Sequence, residues 1–140
     1  MAINVLLWVI QGLLAALFLF AGSMKLVLPL EALAGPIALP GLFMRFIGVA
    51  EVAGALGLVL PSLLRIQPRL TPVAAAGLVI IMIGATVLTG IAGPVAMAAM
   101  PALVGVLAGF VAYGRLHTAP ISSRASVGDA LQGVPAHGTV

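Results

Sequence analysis

Glu51 is the single charged residue in the stretch FIGVAEVAGALGLVLP, which runs from residue 46 to residue 61. Two cations come before it: Lys25 ends an earlier apolar run, and Arg45 lies six residues ahead of Glu51. A carboxylate and a cation in apolar surroundings can form an ion pair, move a proton, or hold the polar group of a ligand. These three residues are therefore the first candidates for chemistry in the chain.

Three roles are open for Glu51. It can pair with a cation and fix the register of two helices, or stay neutral and bind a ligand, because burial disfavours the charged form. It can also line a hydrated cavity and transfer protons, since an ionisable residue inside a membrane is a candidate functional site. Arg45 and Glu51 lie about 120° apart around a helix. We therefore expect Glu51 to meet Lys25, and Arg45 to lie nearer the headgroups.

The composition indicates that lipid is the solvent of this chain. Hydrophobic residues make up 63% of its 140 residues and charged residues 6%, whereas a soluble domain carries about a quarter charged residues. The absence of cysteine excludes disulfides, thiol redox pairs and cysteine-ligated clusters. The net charge is +3, but the basic residues form no stripe that would indicate nucleic-acid binding. His117 and His137 have no accompanying carboxylates, so no metal or haem site is predicted.

Four apolar segments have the length of about 20 residues that a membrane span needs. We predict an all-α integral membrane four-helix bundle in residues 1–114, followed by a disordered cytoplasmic tail at 115–140. A short interfacial or re-entrant segment is expected between the first two spans. The first span lacks a preceding basic residue, so we expect it to be retained and not cleaved as a signal peptide. The predicted spans are residues 5–24, 46–64, 72–91 and 94–114.

The arginine distribution predicts the orientation of the bundle. Four spans place both termini and the second loop on one side, and that side holds Arg65, Arg69, Arg115 and Arg124. The opposite side holds Lys25 and Arg45. Because cytoplasmic loops carry an excess of Lys and Arg, we predict an N-in/C-in, multi-pass protein of the inner cell membrane.

Membrane helices approach one another through small residues, and this rule predicts the packing faces. Small-residue stripes are expected to turn Lys25 and Glu51 into the bundle. Gln11, Thr86 and Thr89 are expected to hydrogen-bond between helices, and Trp8 and Tyr113 to anchor the interface. The predicted stripes are Gly12, Ala15, Ala16, Leu19, Gly22 and Lys25; Gly48, Glu51, Ala55 and Leu58; Gly77, Ile81, Gly84 and Leu88; and Pro101, Gly105, Gly109 and Tyr113.

Three segments, in this order, resemble the DoxX-like family of small four-span bacterial membrane proteins. They are FLFAGSMKL at 18–26, RFIGVAEVAGALGLVLP at 45–61 and LTPVAAAGLVIIMIGA at 70–85. The shared elements are a Gly-x-x-Lys that closes the first span, a Gly-x-x-Glu in the second, and a Leu-Thr-Pro that enters the third. The resemblance covers residues 5–114 and falls on Lys25, Gly48 and Glu51.

The resemblance implies a role as an accessory subunit of a membrane-associated oxidoreductase or a quinone-linked system. The family takes its name from a subunit linked to thiosulfate:quinone oxidoreductase. Because this chain has no cysteine and no haem-ligating histidine pair, a partner protein or a bound quinone would carry the electrons, and no covalent cofactor is expected. The lipid bilayer is the expected surrounding of the protein. The sequence leaves open whether the protein forms a homo-oligomer.

Two other functions remain open from the residues. The protein can be a stand-alone enzyme or binder for a small lipophilic molecule, with Glu51 as acid/base or polar anchor. It can also be a transporter component. One embedded carboxylate, four spans and no inverted repeat make transport the least expected of the three functions.

Overall fold

The computed structural model describes residues 1–35 and 37–123, together with residues 128, 130, 131 and 133. Within these residues the chain is all-α, and it forms the predicted four-helix bundle. A 3-10 turn at Leu30–Leu33 separates the first two helices, and a π-helical turn at Gly114–Thr118 follows the last. The helices are α1 (Ala2–Val27), α2 (Gly41–Leu64), α3 (Leu70–Ala92) and α4 (Val95–Tyr113).

All four helices are long and apolar enough to cross a membrane. Each contains most of a predicted span, but α2 begins at Gly41, five residues before the predicted start. Pro40 explains this boundary, because it supplies the extended residue immediately before the helix, and the apolar residues that follow continue it. Pro94 stands in the same position before α4.

The outward faces of the helices are apolar. Large side chains such as Leu13, Phe46, Ile80 and Val106 are exposed over the whole length of the bundle. A surface of this kind is unfavourable in water but matches the hydrocarbon interior of a bilayer. The buried core is a narrow column of side chains from all four helices: Leu7, Leu14, Phe18, Ala55, Leu58, Ala75, Leu78, Met82, Val104, Ala108 and Val111.

Helices that are consecutive in the chain pack against one another, whereas α1 and α4 touch much less. This antiparallel order gives the bundle two ends. The N-terminal end contains Met1, the connection at 65–69 and the turn Gly114–Thr118. The opposite end, here called the Lys25 end, contains the connection at 28–40 and Gly93. The assignment of the N-terminal end to the cytoplasm stays a prediction.

The helical body extends further than the sequence predicts. Residues 115–118, which we assigned to a disordered tail, form the turn that continues α4. They belong to the body because Arg115 is buried there and hydrogen-bonds to α1. Most of the remaining predicted tail, including Arg124 and His137, lies outside the described residues.

The small-residue rule predicts the packing face of α2 correctly. Gly48, Glu51, Ala55 and Leu58 are all buried, and Ser62 extends the same face. Ser62 also hydrogen-bonds to Thr71 at the start of α3, with the two hydroxyl oxygens 2.6 Å apart. The face therefore contacts α1 at Gly48 and α3 at Ser62.

The predicted faces of the other helices are wrong in part. The buried face of α1 is made of larger residues (Leu7, Gln11, Leu14 and Phe18, then Gly22), whereas Gly12 is open. In α3, no atom lies within 4 Å of a Cβ built on Gly77 or Gly84. In α4, Gly105 approaches Met82, but Tyr113 is exposed. Bulky side chains fill most of the core, so glycines are needed only where two helices approach most closely.

Candidate functional site

Lys25 and Glu51 form an ion pair between the last turn of α1 and the third turn of α2. Lys25 Nζ lies 2.8 Å from Glu51 Oε2. The Glu51 side chain is 3% exposed and the Lys25 side chain 24% exposed. The predicted contact is confirmed, and it places one carboxylate inside an apolar bundle beside a cation that reaches its surface.

Gly22 and Gly48 bring this pair together. A Cβ on Gly22 would lie 2.8 Å from the carbonyl oxygen of Gly48, and a Cβ on Gly48 would lie 3.0 Å from the carbonyl oxygen of Gly22. These distances are shorter than normal contacts, so the backbones of α1 and α2 approach closely only because both residues lack a side chain. Lys25 and Glu51 each follow one of these glycines by three residues, which is nearly one helical turn. Gly48 is therefore a positioning residue.

Arg45 holds the end of α1. Its Nη1 donates to the carbonyl oxygen of Lys25, and its Nη2 donates to the carbonyl oxygen of Leu28 at 2.8 Å. The last carbonyl groups of a helix have no partner within the helix, and they carry the negative end of its dipole. The guanidinium satisfies two of these groups and makes no hydrogen bond to Glu51. Arg45 thus fixes the backbone that carries Lys25.

A cavity of about 580 Å³ opens beside the ion pair. Lys25 and Glu51 are the charged residues in its wall, which is otherwise almost entirely apolar. The volume lies within the range of about 300–1,000 Å³ typical of small-molecule sites. All four helices contribute to the wall, through Leu17 and Phe18, Ile47, Ile81 and Leu88, and Pro101 and Val104.

The mouth of the cavity faces the apolar surface of the bundle. Large lining residues such as Phe43, Phe46, Ile80 and Met100 are also exposed on that surface. In a bilayer this surface contacts lipid chains, so the path into the cavity leads from the membrane interior. Such an entrance suits a lipophilic molecule.

A second cavity of about 380 Å³ lies under the connection between α1 and α2. Its wall includes Leu30 and Leu33 of the 3-10 turn and Met97 of α4. Leu39, Met44, Leu88 and Thr89 line both cavities, so the two spaces are adjacent. The described residues of this connection, 28–35 and 37–40, therefore cover the Lys25 end of the site.

The polar groups that face the first cavity are few. Only Oε2 of the Glu51 carboxylate contacts Lys25, and an ammonium has three N–H groups, of which the ion pair uses one. The Thr89 hydroxyl donates to the carbonyl oxygen of Ala85 in its own helix. The ion pair can therefore offer both a donor and an acceptor to one polar group of a ligand. Across the residues that the structure describes, no three His, Cys, Asp or Glu side chains could hold a metal ion together.

A polar cluster at the N-terminal end was missed by the sequence analysis. Arg115 Nε donates to Gln11 Oε1 at 2.5 Å, and Nη1 donates to Asn4 Oδ1 at 2.7 Å. Gln11 Nε2 donates in turn to the carbonyl oxygen of Leu58 at 2.6 Å. The cluster joins α1, α2 and the end of α4. Gln11 was the available signal, because an amide in an apolar span needs a partner.

The expected interhelical role holds for Gln11 but is wrong for the two threonines. Thr86 donates to Met82 and Thr89 to Ala85, each four residues back in α3. A threonine hydroxyl in a helix reaches its own backbone without any neighbouring helix. These hydroxyls are thereby satisfied within α3.

Fold and site together define a class: a small four-span membrane protein with an ion pair beside a lipid-facing cavity. The model of the DoxX-like family matches residues 9–111, so the chain belongs to that family. The match includes Lys25, Arg45, Gly48 and Glu51. No curated protein and no solved structure matched the chain in the corresponding comparisons. Family and apolar helices together make it a multi-pass membrane protein.

Proposed function

We propose that the protein binds a small lipophilic molecule in the cavity beside Lys25 and Glu51. The observation that carries this proposal is a largely apolar space of about 580 Å³ with one ion pair in its wall. Binding sites for small molecules combine apolar walls with a few placed polar groups. Here the walls would hold the body of the molecule, and Lys25 and Glu51 would orient its polar group.

The ligand class includes quinones and other carbonyl- or hydroxyl-bearing lipids. Lys25 Nζ has N–H groups to donate to a carbonyl oxygen, and Glu51 can accept from a hydroxyl group. Membership in the DoxX-like family supports the further proposal that the protein serves a membrane oxidoreductase as an accessory subunit. In that role the quinone or the partner enzyme would carry the electrons.

The charge distribution supports an N-in/C-in arrangement in the inner cell membrane. The N-terminal end holds Arg65, Arg69 and Arg115 and no carboxylate among the described residues. At the Lys25 end, the positive charges of Lys25 and Arg45 are offset by the carboxylates Glu31 and Glu51. Because the chain has no cysteine, single cysteines at Gln67 and Gly35 can report the orientation. An impermeant maleimide should label Gly35→Cys and spare Gln67→Cys in intact cells. The reverse pattern would overturn the orientation.

Glu51→Gln tests ligand binding directly. The protein is purified in mild detergent and titrated with a quinone that carries a ten-carbon chain, and bound quinone is counted by native mass spectrometry. Loss of a charge-assisted hydrogen bond should weaken binding roughly tenfold. Arg69→Gln, at the exposed N-terminal end, is the matched control and should bind like the wild type.

Two results would contradict the proposed site. The first is a folded Glu51→Gln protein that binds the quinone as tightly as the wild type. The second is a wild-type protein that binds neither the quinone nor any lipophilic molecule recovered by solvent extraction. Circular dichroism of every variant keeps a loss of fold distinct from a loss of binding.

A further inference from the structure

Arg115 is a buried cation that forms no ion pair with any residue that the structure describes. The residue is 4% exposed, and it lies at the N-terminal end of the bundle, opposite the proposed ligand cavity. Of its five N–H groups, three donate to neutral oxygens: those of Gln11, Asn4 and the Ala119 carbonyl. Nη2 is buried and has no hydrogen-bond acceptor among the described residues.

No carboxylate within the described residues compensates this charge. Glu51 pairs with Lys25, and Glu31 lies in the 3-10 turn at the Lys25 end. A buried charge without a partner is strongly unfavourable, so buried guanidinium groups are normally completed by an anion. The free Nη2 therefore points to an anionic group that is bound at this end in the membrane.

We propose that Arg115 binds the phosphate of an anionic phospholipid at the N-terminal end of the bundle. The planar guanidinium can hold two phosphate oxygens at once through Nη1 and Nη2. Nη1 already has one long contact, 3.2 Å to the Ala119 carbonyl in the non-helical segment after the π-helical turn. When the phospholipid binds, one phosphate oxygen replaces the Ala119 carbonyl at Nη1. Nη2 then becomes accessible to a second phosphate oxygen.

The surroundings of Arg115 match the headgroup level of a bilayer. The guanidinium carbon lies 5.2 Å from the ring centre of Trp8, and Tyr113, two residues before Arg115, is exposed. Tryptophan and tyrosine are enriched at the level of lipid headgroups. The exposed Arg65 and Arg69 occupy the same end, so the local field attracts anionic lipid.

Trp8 is the only tryptophan in the chain, and it reports this site selectively. The full-length protein is reconstituted in vesicles of brominated phosphatidylcholine, which quenches tryptophan fluorescence. Unbrominated phosphatidylglycerol is then added. The recovery of Trp8 fluorescence measures how strongly the site binds phosphatidylglycerol relative to phosphatidylcholine. Both lipids offer phosphate oxygens, but the choline ammonium neutralises the phosphate of phosphatidylcholine. The wild type should therefore prefer phosphatidylglycerol roughly fivefold, the value expected for one cation that meets a net negative headgroup.

Three variants test the assignment to Arg115. Arg115→Gln should remove most of the preference and leave only the share due to the exposed arginines, and Arg115→Lys should lower it in part because an ammonium lacks the fork. Arg69→Gln removes an exposed arginine at the same end and should leave most of the preference. If Arg115→Gln does not fold by circular dichroism, Arg115→Lys decides: an undiminished preference in this variant overturns the proposal.

Two further arms separate lipid from other anions. Inorganic phosphate, added as the free ion, should leave the preference for phosphatidylglycerol unchanged. If millimolar phosphate abolishes this preference, the site binds a soluble anion. Asp129 lies outside the described residues and is the remaining acidic side chain of the sequence. Asp129→Asn should have no effect, and a marked rise in lipid preference would identify this carboxylate as the normal counter-ion of Arg115. Either of these contrary results overturns the lipid assignment.

Discussion

Gly22 and Gly48 face each other where α1 crosses α2, each with its Cα against the carbonyl oxygen of the other. A Cβ at Gly22 would come within 2.8 Å of Gly48 and also within 2.8 Å of the Val52 side chain. The ion pair lies one turn beyond this crossing. Its geometry therefore depends on two residues that have no chemistry of their own.

Gly22→Ala should destabilise the bundle and separate Lys25 from Glu51. The added methyl group meets backbone that cannot rotate away, and overpacking of this kind costs about 1–3 kcal/mol. The measurement is the free energy of unfolding in mixed micelles of mild detergent and dodecyl sulfate. Gly12→Ala is the matched control, because no atom lies within 4 Å of its Cβ position. Equal stability of the two variants would contradict the role of the crossing.

The two partners of the ion pair should respond unequally to truncation. Lys25→Met leaves the Glu51 carboxylate, 3% exposed, without a cation, whereas Glu51→Gln leaves a lysine that already reaches the surface. A lysine can extend its stem so that the ammonium meets water or headgroups. Lys25→Met should therefore cost about 3–5 kcal/mol, and Glu51→Gln distinctly less.

The double variant Lys25→Met/Glu51→Gln completes the test. It leaves no unpaired charge, so it should be more stable than Lys25→Met alone, with a coupling of about 0.5–3 kcal/mol. Additive effects in the micelle unfolding assay would mean that the 2.8 Å contact contributes nothing to stability. That result would leave ligand binding as the reason for the pair.

The sequence predicts the ion pair because a charged side chain in an apolar chain has few possible partners. Lys25 and Glu51 each terminate or interrupt a long hydrophobic run, and the glycines three residues earlier mark the crossing. The burial of Arg115 was not predicted in the same way, because an arginine at the end of a span can equally well contact the lipid headgroups. Only its contacts with Gln11 and Asn4 place it inside the bundle.

The cavity and the packing faces of α1, α3 and α4 depend on information that no short pattern carries. The chain contains 17 glycines among 140 residues, so small-residue spacing recurs on several faces of each helix. The true face of α1 uses Leu14 and Phe18 because α1 packs much less closely on α4 than on α2, and large side chains must fill the gap. The cavity is the part of that gap that these side chains leave open.

Arg45 should stabilise the protein through the end of α1 and not through Glu51. Arg45→Met removes both donors from the carbonyl groups of Lys25 and Leu28. Hydrogen bonds from a charged donor are worth about 1.5–3 kcal/mol each, so the free energy of unfolding should fall by about that amount or more. The micelle unfolding assay applies here as well.

Two comparison variants test whether Arg45 stabilises the protein by capping α1. Arg45→Lys keeps the charge but cannot reach two carbonyl oxygens with a planar fork, so it should recover only part of the stability. If Arg45→Met loses no more stability than Arg69→Gln, which removes an exposed arginine, the capping role is wrong.

Gly84 and Gly77 provide the sharpest test of the cavity. Both lie on α3, seven residues and nearly two turns apart, and neither has an atom within 4 Å of a built Cβ. Only Gly84 lines the cavity beside the ion pair. Gly84→Leu should therefore fill part of the space that a ligand needs, whereas Gly77→Leu should place its side chain on the apolar surface.

The expected result is a loss of ligand binding without a loss of fold. A leucine side chain occupies a substantial part of the volume of about 580 Å³, so the affinity for the ten-carbon-chain quinone should fall roughly tenfold or more. Both variants exchange glycine for a better helix former, so neither should be destabilised. Equal quinone affinity in Gly84→Leu and Gly77→Leu, measured by native mass spectrometry, would exclude this cavity as the binding site. The ion pair would then be a device that holds α1 and α2 in register.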